Sequence, residues 1–278
     1  MFGPKIELKT DDQIRTMRRA GLVTRAALEA AAAACVPGAT TEHVDAAGAR
    51  VIEEHGAKSN FLGYMGYPAT LCVSVNDVIV HGIPSDGIVL KEGDMVSIDG
   101  GAIVDGWHGD SAITVFVGGR EAARGQDLRV SDATEEAMWA GIAAFARADR
   151  IGEIGEAIEG WVLENAPELH GGLIEDFTGH GIGSQMHMEP EVLNYAVKKR
   201  GPKIKPGMAI CIEPMLTTGG SDSRTLDDDW TVVTADGSRA SHWEHTVARH
   251  SGGIWVLTAP DGGRDRLAAY GVQPAPLD

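Results

Sequence analysis

Apolar residues recur along this chain with two different periods. Ile14, Met17, Ala20, Gly21, Val23, Thr24 and Leu28 fall on one stripe of a helix. Thr10 or Asp11 can cap its start, and Pro37-Gly38 stops it after an Ala-rich run. A second helix begins near Thr40, turns Val44, Ala47, Val51 and Ile52 inward, and ends at His55-Gly56. Beyond residue 91 the period changes to two. Val96 and Ile98 alternate with polar neighbours, and so do Ile113, Val115 and Val117. Asp105-Gly106 between them predicts a hairpin with a two-residue turn. In that register Asp99 lies across from Ala112 and Gly101 from Asp110. The two carboxylates then share a face as diagonal neighbours. A four-residue loop keeps that parity, and an odd loop breaks it.

The remaining segments follow the same two rules. Residues 60–68 form a Gly- and Tyr-rich loop in which Tyr64 and Tyr67 either face a pocket or cover the core. A strand over 71–80, interrupted at Asn76-Asp77, ends at His81-Gly-Ile-Pro84. Helices over 132–148 and 151–165 repeat the layout of residues 11–54. A Gly-rich strand and turn over 176–188 carries His180, Met186 and His187, and a strand over 209–216 carries Glu213. Segments 230–234 and 241–248 flank Asp236-Gly237, a second hairpin signal, with Glu244 on the second arm. A short strand over 254–257 follows, and the Pro-, Gly- and Asp-rich residues 260–278 are expected to be loose. The class is α+β, with one domain over 1–278 built of halves at about 11–118 and 132–258.

The halves echo each other. Lys91-Glu-Gly-Asp-Met-Val-Ser-Ile-Asp99 aligns without gaps on Lys205-Pro-Gly-Met-Ala-Ile-Cys-Ile-Glu213. His-Gly-Ile precedes each (His81, His180), and His-x-acid follows each (His108-Gly-Asp110, His242-Trp-Glu244). Three matches in one order argue for two halves of similar build. Facing halves would gather Asp99, Asp110, Glu213 and Glu244 beside histidines. Buried together without cations, four carboxylates are costly. Two divalent ions would neutralise them, and oxygen donors with one imidazole suit Mn, Fe, Co or Zn. Such a pair activates water and polarises a carbonyl, which is the chemistry of a hydrolase.

Bulk properties narrow the setting. The formal charge of −16 leaves no surplus of Lys and Arg for general nucleic-acid binding. The run Lys198-Lys-Arg-Gly-Pro-Lys203 reads as a solvated loop. Cys35, Cys72 and Cys211 occupy separate apolar contexts without a CxxC, so neither a disulfide nor a cysteine zinc site is expected. No apolar run is long enough for a membrane span, and MFGPKIELK lacks the core of a secretory signal. The expected compartment is the cytoplasm, and nothing indicates an obligate interface, so a monomer is expected.

Over nearly its whole length the sequence resembles type I methionine aminopeptidases of the two-fold pita-bread fold. The motifs that carry the resemblance are Gly63-Tyr-Met-Gly-Tyr-Pro68, Cys72-Val-Ser-Val-Asn-Asp77, Val80-His-Gly-Ile-Pro84, Asp105-Gly-Trp-His-Gly-Asp110, Gly179-His-Gly-Ile-Gly183 and Trp243-Glu-His-Thr246. The resemblance implies two divalent ions, with Asp99 bidentate on one, Asp110 and Glu244 bridging, and His180 and Glu213 completing the second. It also implies that His81 and His187 contact substrate and that Glu213 shuttles a proton. Tyr64, Tyr67, Cys72, Met186 and Trp230 would form the methionine pocket. The implied substrate is a nascent chain with a small second residue, which places the enzyme near the ribosome. Phe61, Met186 and Met188 depart from familiar forms of the pattern, at positions that shape the pocket. A proline-directed relative shares the ligand set but usually carries a further N-terminal domain. A metal-free binding module on the same fold would be expected to have lost ligands.

Overall fold

In the computed structural model, which describes residues 5–277, the capped start predicted for the first helix is a capping box. Thr10 Oγ1 accepts from Gln13 N, and Gln13 Oε1 accepts from Thr10 N, so two otherwise free donors of the first turn are satisfied. The first residues of the stretch read as lacking a secretory signal, 1–4, lie outside the described residues, as does Asp278. The elements in order are α1 (Asp11–Ala34), α2 (Thr41–Glu54), β1 (Lys58–Ser59), β2 (Leu71–Val75), β3 (Val78–Val80), β4 (Met95–Val104) and β5 (Trp107–Phe116). Then come α3 (Gly125–Phe145), α4 (Gly152–Asn165), β6 (Gly179–Gly181), β7 (Met188–Val192), β8 (Ala209–Ile212) and β9 (Met215–Thr217). The chain ends with β10 (Ser223–Thr225), β11 (Val232–Thr234), β12 (Ala240–His242), β13 (Glu244–His250), β14 (Gly253–Val256) and α5 (Arg264–Ala268).

A curved antiparallel sheet runs β1-β4-β5-β13-β8-β6-β7, with β2 paired to β4 and β14 to β13. The β4–β5 hairpin has the expected register, Asp99 opposite Ala112 and Gly101 opposite Asp110. Asp105 and Gly106 both take positive φ (50° and 80°), as a two-residue turn matched to strand twist requires. Glu244 lies opposite Ala112 on the other side, and His245 opposite Ile212. Acids from both halves thus fall along one band of the sheet.

Helices cover the sheet in two pairs, α1 with α2 and α3 with α4. Leu28, Ala31, Val44, Leu71, Val96 and Ile98 form the core under the first pair. Met138, Ile142, Ile154, Ile158, Ile210 and Val247 are among those that form it under the second. Gly109 lets α1 lie directly on β5, since a Cβ there would stand 2.6 Å from Gly21 N. Arg18 joins the first half to the second: its buried guanidinium donates to the carbonyls of Val256, Leu257, Ala259 and Pro260.

Several expectations need correction. The third helix begins at Gly125 rather than 132, because Val130 and Ser131 are already buried and Asp127 turns inward to Arg239. The strand carrying Glu213 breaks there, at Glu213-Pro214, into β8 and β9. Asp236-Gly237 does not close a hairpin: β11 pairs with β10 and β3, while β12 pairs with β9. Asp236 instead accepts from Gly220 N and Ser238 N. The segment after Pro260 is not loose. It carries α5, buries Leu267 fully, and returns Ala275 N to Ile254 O. Among the described residues no helix is long and apolar enough to cross a membrane.

Candidate metal centre and substrate cavity

A cavity of about 430 Å³ opens where the two halves meet. All twelve side chains singled out from the sequence line it: Tyr64, Tyr67, Cys72, His81, Asp99, Asp110, His180, Met186, His187, Glu213, Trp230 and Glu244. Asp99 comes from β4, Asp110 from β5, His180 from β6, Glu213 from the end of β8 and Glu244 from the start of β13. One wall is thus a row of acids projecting from adjacent strands, and the other is apolar.

Asp99 Oδ1, Asp110 Oδ1, Glu213 Oε1 and Glu244 Oε1 are buried without a hydrogen-bond partner. Burial, with the neighbouring acids, pushes the carboxyls of Asp110 and Glu244 far above the ordinary range. Burial raises Glu213 to about 8, and raises Asp99 to about 7 against the pull of His242. Carboxyls in this state either hold protons or face cations, and the set fits a divalent metal centre. Ligand atoms of Asp110, His180, Cys211 and Glu244 lie within 4.8 Å of one another, as do those of Glu213, His242 and Glu244. Asp99 belongs to neither tight group, although it lines the same cavity.

His180 is prepared to give a lone pair. Its Nδ1 lies 3.0 Å from Gly181 O, which assigns the proton to that nitrogen and leaves Nε2 facing Glu213 Oε1 at 3.4 Å. Burial, and then the nearby His187, lower its pKa to about 3, so the ring is neutral. Cys211, buried behind the acids, is the exception to a ligand set of oxygen and imidazole. Burial and the adjoining carboxylates raise its thiol pKa in the metal-free protein.

The apolar wall consists of Phe61, Tyr67, Cys72 and Met186, with Tyr64, Ile83 and Trp230 packed against them. Tyr67 meets Trp230 edge-on at 5.0 Å and is held by bonds from its hydroxyl to Leu71 O and Gly82 O. His81 has φ 59°, a region L-residues rarely adopt, just after β3. Its ring stands edge-on to Phe177 and Trp230, and burial lowers its pKa to about 4. His187 Nδ1 lies 2.9 Å from the Tyr64 hydroxyl, and its ring meets His180 at 4.4 Å.

Sequence reasoning missed Phe177 and His242. The His-x-acid echo contained His242, yet the mark that sets it apart, a buried nitrogen without a partner, is three-dimensional. Its counterpart His108 is occupied, with Nδ1 2.9 Å from Asn60 Oδ1.

Comparison with known proteins agrees with this geometry. The model of metallopeptidase family M24 matches residues 15–250. Methionine aminopeptidase 1 of Mycobacterium tuberculosis is 48% identical over 250 residues, which cover 88% of this chain and 92% of that protein. The crystal structure of methionine aminopeptidase from Rickettsia prowazekii matches with a TM-score of 0.85 at 33% identity, over 92% of this chain and 100% of that one. A prolidase from Pyrococcus furiosus shares the fold at a TM-score of 0.72 and 21% identity, but this chain covers only 65% of it. With its pita-bread sheet, its band of buried acids and these likenesses, the chain belongs to metallopeptidase family M24 and, within it, to the type I methionine aminopeptidases.

Proposed function

We propose that this cavity removes the initiator methionine from polypeptides with a small second residue, using two divalent ions. The observation that carries the reading is the set of unpartnered, buried carboxylate oxygens on Asp99, Asp110, Glu213 and Glu244, facing one cavity with His180, whose Nε2 stands 3.4 Å from Glu213 Oε1. In this reading Asp99, Asp110, His180, Glu213 and Glu244 would hold the two ions. The donor set suits Mn, Fe, Co or Zn. Bound divalent ions supply Lewis acidity and a water nucleophilic near neutral pH.

The chain's own residues do the rest. The methionine side chain lies among Tyr64, Tyr67, Cys72, Met186 and Trp230, an apolar slot that suits a flexible thioether. His81, neutral because burial holds its pKa near 4, donates an N–H to the scissile amide. His187, with Nδ1 engaged by Tyr64, keeps Nε2–H for the developing oxyanion. Glu213 takes the proton of the attacking water and returns it to the leaving amine. A free α-amine, whose lone pair an acylated N-terminus lacks, would be held against a metal ion, so the enzyme acts at chain ends. Nascent chains in the cytoplasm, met near the ribosome by a monomeric enzyme, are the substrates this implies.

Purified protein supplied with Mn, Fe or Co is expected to release methionine from peptides that begin Met-Ala or Met-Gly and to leave Met-Lys peptides largely intact. Cleavage confined to Xaa-Pro bonds, or none with any of these metals, would overturn the reading.

A further inference from the structure

His242, the last residue of β12, lines the acid wall of the cavity but has no part in the mechanism above. It is 2% exposed, and its Nε2 has no hydrogen-bond partner. Its nearest carboxylate oxygen, Glu213 Oε2, stands at 3.6 Å, too far for a hydrogen bond. On the other side of the same carboxylate, His180 Nε2 stands 3.4 Å from Oε1. Glu213 is therefore flanked by an imidazole nitrogen on each oxygen. Two ligands that share one ion with bonds near 2.1 Å lie about 3 to 3.5 Å apart, so both separations are close to those of atoms with a common metal rather than a common proton. A carboxylate oxygen of Glu244 completes the group, and its three ligand atoms fall within 4.8 Å of one another.

The backbone around His242 is fixed by hydroxyls from two other strands. His242 N donates to Ser97 Oγ at 3.2 Å and to Thr114 Oγ1 at 3.3 Å, and Thr114 Oγ1 donates to His242 O at 2.8 Å. Ser97 and Thr114 are themselves paired at 2.9 Å, and both are buried. These contacts fix the main chain that carries the imidazole. His108, which the sequence echo aligns with His242, is not among the residues that line the cavity or fall in either group of clustered ligand atoms.

We propose that His242 is a sixth protein ligand of the metal centre, giving its Nε2 lone pair to an ion shared with Glu213 and Glu244. The proposal rests on the reading that this cavity holds divalent ions. It would bring the imidazoles of the centre to two.

The test uses apo-protein titrated with Co(II), followed by calorimetry and by the visible spectrum, for the native chain, His242→Gln and His242→Ala. The native chain is expected to take up two ions. Each variant is expected to bind one of them about 10- to 100-fold more weakly and to show altered d–d bands. If both variants, folded by circular dichroism, keep the native affinities and spectrum, His242 is not a ligand and the proposal falls. If the native chain binds no Co(II), the metal-centre reading itself fails. X-ray absorption of the native Co(II) enzyme decides the matter without any variant. An average of one imidazole per ion supports the proposal, and one imidazole per two ions overturns it.

Discussion

Asp110 and Thr246 clasp each other where the two halves of the sheet join. Asp110 N donates to Thr246 Oγ1 at 3.0 Å, and Thr246 Oγ1 donates back to Asp110 O at 2.7 Å. The ladder between β5 and β13 pairs Glu244 with Ala112 and His245 with Ser111, and this hydroxyl continues the seam beyond it. Thr246→Val keeps the shape and removes both bonds. The expected cost is about 1–3 kcal/mol in urea unfolding, together with weaker metal binding as Asp110 loses its support. Unchanged stability and affinity would show that the seam does not depend on Thr246.

Removing a buried acid is expected to separate stability from function. Asp110 and Glu244 are each pushed toward the protonated state by burial and by neighbouring acids. Asp110→Asn relieves that repulsion. The metal-free variant should therefore be as stable as the native apo-protein at pH 8, or more stable by on the order of 1 kcal/mol. Its metal affinity and peptide hydrolysis should collapse. Thermal unfolding of both apo-proteins, beside Co(II) calorimetry, reads the two effects separately.

The same acids set a pH dependence. Asp99 rises from 3.8 to about 7 and Glu213 from 4.5 to about 8 in the metal-free protein, chiefly through burial. Because the folded state binds these protons more tightly than the unfolded state, their contribution is full below pH 4. It is lost as pH climbs through 7 and 8. Divalent ions replace the protons. The gain in melting temperature on adding Co(II) or Mn(II) should be larger at pH 8 than at pH 6, and metal binding at pH 6 should release more protons. Calorimetry in buffers of different ionisation enthalpy measures that release.

His81 offers a test of positioning against ligation. Its backbone takes φ 59°, which Asn tolerates better than most residues. His81→Asn should preserve the turn and remove the imidazole. The expected result is a fall in kcat of about 10²–10³ with both metal affinities unchanged. A loss of metal would move His81 into the ligand set.

Much of this site was legible because hairpin parity is a local rule. The Asp105-Gly106 turn sets the register, and the register puts Asp99 and Asp110 on one face. The echo between halves then supplied Glu213, Glu244 and His180. What failed depends on distant partners. Asp127 reads as a polar residue before a helix, but it lies in the first turn, buried against Arg239 from across the chain. Asp236-Gly237 has the composition of a hairpin, yet its carboxylate is spent on Gly220 and Ser238, and the flanking strands find other partners. His242 could be seen only as half of a repeated tripeptide until its unpartnered nitrogen was located.

The carboxyl-terminal segment is the clearest case of composition misleading, and it yields the last prediction. Its Pro, Gly and Asp content suggested a loose tail, but its few apolar residues meet prepared surfaces. Leu267 is fully buried in the core that contains Trp139 and Val256. The Tyr270 hydroxyl donates to Glu136 O at 3.2 Å, and Arg147 donates to the carbonyls of Tyr270 and Gly271. Arg266 pairs with Glu136 at 2.9 Å, but both side chains are more than a third exposed, so the pair contributes little. Apolar burial therefore dominates. Leu267→Ala is expected to cost about 2–5 kcal/mol in chemical denaturation, and Arg266→Ala less than about 1 kcal/mol. Leu267 lies outside the catalytic cavity, so the variant, while folded, should keep native metal affinity and kcat. Equal small losses from both substitutions would mean that the segment packs without stabilising the domain.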